Sequence, residues 1–251
     1  MDIATLGGIC VGFGMALGAV FLRPLPETFV DIPSLMFVLG GTCATILLTF
    51  PVKDVWQAVR AGIRVFTAKN IPARDAVAAV VHLAEISRKE GIMVLEKIQT
   101  SNPVLKKAAQ LIAHNADPVH IRDTLDTEIL SLRRHHSIGI AVFSRLALCA
   151  PAMGMLGTLI WLAQMLSGFK TPDPSGPDMA AVLMASLYGC LLSTLVFLPI
   201  AGKLKTRSRQ DEYRLHIIFE GAHYILENNN PKLVYEKLSS FLTSRERAGA
   251  R

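Results

Sequence analysis

Apolar positions along the chain follow two distinct patterns. Four uninterrupted runs, roughly 3–22, 33–50, 146–166 and 179–200, reach the length of about 20 residues that a helix needs to cross a bilayer core. Elsewhere apolar residues alternate with charged ones at helical spacing. Val52, Val55, Trp56, Val59, Ile63 and Phe66 predict an amphipathic helix leaving the second run, with Lys53, Arg60 and Arg64 within reach of lipid headgroups. A second helix is expected from Pro72, whose ring suits a first turn, to Gly91, burying Val77, Val80, Val81 and Ala84. Its last turn carries Arg88 and Lys89, where the helix dipole favours cations. A short helix with Ile92, Leu95 and Glu96 follows, and another starts after Ser101-Asn102-Pro103. A fifth, capped by Asp117, runs through Ile121, Leu125, Ile129 and Leu132 toward the third run.

Beyond the fourth run, Leu215, Ile218, Phe219, Ala222, Ile225 and Leu226 make one apolar stripe. The fourth spanning helix is therefore expected to continue past the membrane and pack on the middle segment. Asn228-Asn229-Asn230-Pro231 ends it, a short helix reaches Leu242, and 243–251 reads as a frayed tail. Strand-like alternation and internal repeats are absent from the sequence. The predicted fold class is all-α, an integral membrane protein with four transmembrane helices and a helical cytoplasmic domain. Its segments are 1–51 for spans one and two, 52–145 for the cytoplasmic domain, 146–202 for spans three and four, and 203–251 for C-terminal cytoplasmic helices.

Composition agrees with the membrane reading: 51% of residues are hydrophobic, 18% are charged, and the mean hydropathy is +0.39. Met1-Asp2 provides no positive n-region and no small-x-small site precedes Arg23, so the first run reads as a retained span rather than a signal peptide. Of the 26 Lys and Arg residues, 14 lie in 52–145 and 10 in 203–251, while the two short connections carry only Arg23 and Lys170. That asymmetry places both termini and the middle segment in the cytoplasm. The net charge of +6 is thus a topology signal and carries no implication of nucleic-acid binding. One cysteine falls in each apolar run (Cys10, Cys43, Cys149 and Cys190), which suits small buried hydrophobes and fits no disulfide or zinc pattern.

Enzyme chemistry finds no support. His114, His120, His135 and His136 lack metal-ligand spacing, and the chain has no phosphate-cradling glycine loop and no nucleophile elbow. No cofactor is implied. Spans three and four hold hydroxyls at Thr158, Ser186, Ser193 and Thr194, yet no Asp, Glu, Lys, Arg or His. An ion pathway usually needs an ionisable group within the membrane, so a conducting protein built from these spans must receive its carboxylate from elsewhere.

Counting 1.5 Å per residue from Leu146 puts Thr158 about 18 Å from the cytoplasmic edge, and Ser186 comes out about 20 Å from it. The same count sets Pro151 and Pro199 each about one turn from that edge, a matched pair of helix breaks suited to a hinge. Gly154 and Gly157 in span three, and the pairs Gly8/Gly12 and Gly14/Gly18 in span one, offer close helix contacts.

The chain resembles the A subunits of bacterial flagellar motor stators, the MotA/PomA family within the wider group that includes ExbB and TolQ. The resemblance rests on six stretches distributed over nearly the whole chain. They are Met1-Asp2-Ile3-Ala4-Thr5-Leu6, Phe29-Val30-Asp31, Arg88-Lys89 with Leu95-Glu96, Ala150-Pro151-Ala152-Met153-Gly154-Met155 with Gly157-Thr158-Leu159, Leu187-Tyr188-Gly189, and Phe197-Leu198-Pro199-Ile200-Ala201. It is stronger toward the sodium-driven PomA branch than toward the proton-driven MotA branch.

The resemblance implies a homopentamer around two B subunits, each of which brings a membrane aspartate. Flow of Na+ or H+ past it would drive rotation against the rotor protein FliG. Arg88, Lys89 and Glu96 would face the rotor, Pro151 and Pro199 would couple the ion site to cytoplasmic movement, and Thr158 with Ser186 would lie beside the ion. Sodium is the expected ion, because hydroxyl oxygens can replace water around a small hard cation. Four departures stand out: Leu148 and Trp161 sit where the family often has an aspartate and a small residue, and Lys97 and Gln99 where acidic residues are common. The competing expectations are an ExbB/TolQ-like energy transducer of the cell envelope and a membrane scaffold without ion flow.

Overall fold

The computed structural model describes residues 31–67, 72–97, 103–113, 118–167, 176–227 and 230–242, together with Arg247 and positions 7, 8, 11, 12, 14, 15 and 18. The described residues are almost entirely helical and contain no strand. The elements are α1 (Ile32–Thr49), α2 (Val52–Thr67), α3 (Ala73–Glu90), a 3-10 turn (Ile92–Lys97), α4 (Pro103–Ala113), α5 (Pro118–Ser167), α6 (Gly176–Leu191), a π segment (Leu192–Phe197), α7 (Leu198–Glu227) and α8 (Pro231–Ser239). Three helices among the described residues are long and apolar enough to cross a membrane, within 32–49, 126–167 and 182–227. They correspond to the second, third and fourth runs. Most of the first run lies outside the described residues; the positions described there are helical, and a methyl group at Gly12 would come 2.9 Å from a Leu195 methyl.

Proline marks most helix boundaries. Pro33 stands in the first turn of α1, and Phe50 turns extended ahead of Pro51, so α1 stops where the membrane run stops. Pro72 forms the N-cap of α3 in extended conformation, one position before the first turn expected for it. Gly91 closes α3 at φ 89°, ψ 161°, a region open essentially to glycine alone. Gly91→Ala is expected to cost about 1–3 kcal/mol, read as a lowered thermal midpoint. An unchanged midpoint would mean that the turn can re-form with another backbone.

The chain divides into two compact units. The first comprises 1–69 and 136–205, the second 70–135 and 206–251. These boundaries differ from the expected ones at 51/52, 145/146 and 202/203, because α2 and the residues preceding span three pack with the membrane helices. Ala58 of α2 shares a core with Ile46, Val142, Phe143 and Ala201. The buried face of α2 is offset from the expected apolar stripe: Ala58 and Val65 are buried, Val55 and Phe66 of the stripe are half-buried, and its Val52, Trp56, Val59 and Ile63 remain exposed. Arg60 stacks over Trp56 at 5.1 Å on the exposed face.

The second unit has its own core, in which Val77, Val80 and Leu83 of α3 meet Leu95, Ile112 of α4, Ile217, Ile218 and Ile225 of α7, and Leu238 of α8. Truncating any of the larger side chains there to alanine would cost about 2–5 kcal/mol. The apolar stripe read beyond the fourth run is thus real, and it covers the middle segment as expected. Ion pairs join Lys107 to Glu128 and Arg133 to Glu212 across helices within this unit.

The cysteines depart from expectation: Cys43 and Cys190 are exposed on the chain, Cys149 is half-buried, and Cys10 lies outside the described residues. A membrane helix can present small apolar residues outward at no penalty, since lipid is as apolar as a protein core.

Candidate functional site

Spans three and four approach through small residues. A methyl group at Gly154 would lie 2.8 Å from the Ala185 carbonyl oxygen and 3.2 Å from the Cα of Ser186. One at Gly189 would lie 2.6 Å from the Ala150 carbonyl and 3.2 Å from the Cα of Pro151. One at Gly157 would meet the Ala185 methyl at 2.8 Å and the Phe37 ring at 3.3 Å. The glycines therefore set backbone against backbone in a fixed antiparallel register, with Gly154 opposite Ser186 and Pro151 opposite Gly189.

This register locates the candidate ion-path residues. Ser186 is half-buried beside Gly154, four residues from the half-buried Thr158, so the two hydroxyl positions lie within about 6 Å of each other along the axis. Thr158 donates its hydroxyl proton to the Met155 carbonyl at 2.7 Å. Its oxygen lone pairs stay available to accept from, or coordinate, an outside group.

The two prolines are not level. Ile200 and Phe143 both crowd Gly62, with contacts of 3.4 and 2.7 Å to a methyl group placed there. Phe143 is eight residues, about 12 Å, from Pro151 along α5. Pro199 therefore lies about two turns away from the level of Pro151, and the matched-break expectation fails. Depth counted from Leu146, just after Arg145, is misleading, because α5 runs unbroken through Arg145 and that residue is exposed. A long basic side chain can reach back to the surface, so it does not mark depth.

Near the start of span two, Asp31 receives a hydrogen bond on its carboxylate from Ser34, and its backbone N–H donates to the Tyr188 hydroxyl at 2.9 Å. This ties α1 to α6. Gly41 of α1 accommodates Met153 of span three, whose sulfur would be 2.8 Å from a methyl there.

In the second unit, Arg88, Lys89 and Glu96 are all exposed, held by α3 and the 3-10 turn whose Leu95 is buried at 1% exposure. Arg88 donates to Asn230 Oδ1 at 3.1 Å, and the same oxygen caps α8 by accepting from Lys232 N. Asn230 is a partner that sequence spacing could not identify, 142 residues away from Arg88. Of the departing positions, Leu148 is exposed, Lys97 ends the 3-10 turn, Gln99 lies outside the described residues, and Trp161 buries its indole N–H without a hydrogen-bond acceptor. Among the described residues no group of His, Cys, Asp and Glu is arranged to hold a metal.

The sequence profile of the MotA/TolQ/ExbB proton channel family matches residues 96–216. The chemotaxis protein PomA of Vibrio alginolyticus is 34% identical over 248 residues, 99% of this chain and 98% of that protein. This chain belongs to the MotA/TolQ/ExbB proton channel family. Motility protein A of Aquifex aeolicus is 31% identical, covering 96% of this chain and 97% of its own. The fold matches a chain of the flagellar MotAB stator complex from Bacillus subtilis with a TM-score of 0.89, at 24% identity and 97% coverage of both. Membership in a channel family accords with the lack of catalytic motifs in the sequence. It also directs attention to the seam between spans three and four, where the profile match and the hydroxyls coincide.

Proposed function

We propose that this protein is the A subunit of a bacterial flagellar motor stator, forming with a B subunit a cation channel that couples ion flow to rotor torque. The observation that carries this reading is full-length similarity to PomA together with a tightly packed, hydroxyl-bearing seam that holds no Asp, Glu, Lys, Arg or His. Such a seam needs a carboxylate from a partner, and a MotB/PomB-like B subunit with one membrane aspartate supplies it. Sodium is favoured over the proton, because Thr158 and Ser186 present oxygens at neighbouring levels. The assembly is a homopentamer around two B subunits in the bacterial inner membrane, with both termini cytoplasmic.

FliG is the proposed rotor partner, met by Lys89, Glu96 and Arg88, whose exposure leaves them accessible for charge-to-charge contact. Membrane lipid is the proposed neighbour of the exposed face of α2, where Val52, Trp56 and Ile63 are bordered by Lys53, Arg60 and Arg64.

Co-expression with the cognate B subunit in a stator-null flagellated cell is expected to restore swimming in sodium medium. Absence of swimming despite an assembled complex would overturn the motor role. Swimming that persists without sodium and stops with a protonophore would overturn the ion assignment.

A further inference from the structure

Pro151 removes one hydrogen bond from span three, and the structure provides a replacement from span four. A proline at position 151 has no N–H to offer the Ala147 carbonyl four residues earlier. Ala147 is 5% exposed and Ala150 fully buried, so water cannot satisfy that oxygen. An unpaired carbonyl inside a membrane protein is strongly unfavourable, because no water reaches it. The Ser193 hydroxyl donates to it at 2.6 Å, from a side chain that is itself 5% exposed.

Ser193 stands in the π segment 192–197, whose wider turns shift the side chains from their α-helical positions. The widened pattern ends with Leu198 N–H donating to the Ser193 carbonyl. The next residue, Pro199, has no N–H to continue it. One residue thus touches both irregularities: its hydroxyl serves the gap left by Pro151, and its carbonyl closes the π turn just ahead of Pro199.

We propose that Ser193 is a positioning residue for ion-coupled movement, an interhelical latch that ties the Pro151 break in span three to the π segment preceding Pro199 in span four. The latch explains how two breaks about 12 Å apart along the bundle can act together. Displacement of span three at Pro151 pulls on the π segment directly, and a change in the π segment alters the hydrogen bonding of the Pro151 turn. The structural part stands on hydrogen-bond geometry, and only its motility consequence rests on the stator reading.

The test is a double-mutant cycle on the full A–B complex, read by amide hydrogen exchange of spans three and four and by swimming speed. Ser193→Ala is expected to raise exchange at the amides around 148–154 and 194–198 by about three- to tenfold and to slow swimming at unchanged assembly. Ser193→Thr, which keeps the donor, is expected to restore both. In a Pro151→Ala background, where Ala147 regains a backbone partner, Ser193→Ala is expected to add nothing further to exchange. Additive effects of the two substitutions would overturn the latch, as would wild-type exchange in Ser193→Ala. If Ser193→Ala does not accumulate, the same cycle is read with Ser193→Cys, a weaker donor of similar shape. Coupled exchange in a complex that never supports swimming would retain the latch and remove the stator reading.

Discussion

Gly189→Ala is expected to push spans three and four apart and to destabilise the assembled subunit strongly. The added methyl would sit 2.6 Å from the Ala150 carbonyl oxygen, 3.1 Å from the Cα of Gly154 and 3.2 Å from the Cα of Pro151. All three are backbone atoms, so no side-chain rotation relieves the contact, and the helices themselves must move apart. Overpacking of this kind costs about 1–3 kcal/mol or more. The movement would also stretch the Ser193–Ala147 bond, adding the cost of a bare carbonyl. Gly40→Ala is the matched control: it is also a glycine of a spanning helix, but has nothing within 4 Å of the added methyl. Thermal unfolding of the purified complex should show a large loss for Gly189→Ala and little change for Gly40→Ala. Equal midpoints for both would contradict the register on which the placement of Thr158, Ser186 and Pro151 depends.

The second large effect is expected on ion use. Thr158→Ala and Ser186→Ala each remove one oxygen from the seam without disturbing a packed glycine contact. Thr158 spends its proton on Met155, which leaves its oxygen free to act only as an acceptor. Losing a polar group that contacts a charge typically costs about 1.5–3 kcal/mol, or roughly ten- to hundredfold in binding. Each variant should therefore need roughly ten- to hundredfold more sodium for half-maximal swimming speed, with complex assembly unchanged. The measurement is swimming speed against sodium concentration at constant ionic strength. Identical curves for both variants and the wild type would remove the two hydroxyls from the ion path, and with them the main reason for favouring sodium.

Much of the secondary structure was legible because helical periodicity and proline placement act locally. The ends of α1, α3 and α4 follow from Pro51, Gly91 and Pro103, each of which works through its own backbone geometry. The extension of the fourth spanning helix into a second core was equally visible, since its apolar stripe continues past Lys203 and Lys205. The offset between the apolar stripe of α2 and its buried face was not visible. An apolar arc looks alike whether it meets protein or lipid, and only the packing of Ile46, Val142, Phe143 and Ala201 around Ala58 decides which face is covered.

The site divides in the same way. Residue types alone established that spans three and four are rich in small and hydroxyl residues and carry no charge, and that Pro151 must break a backbone hydrogen bond. These follow from covalent structure: glycine lacks a Cβ, proline lacks an N–H, and neither property depends on neighbours. Which carbonyl goes unsatisfied was also implicit in the sequence. What only the tertiary structure decided is the register between the two spans. It set Gly189 against Pro151, moved Pro199 about two turns away, brought Ser193 to Ala147, and joined Arg88 to Asn230. Register comes from interlocking of backbones and side chains on separate helices, and a count along either helix alone carries no information about it.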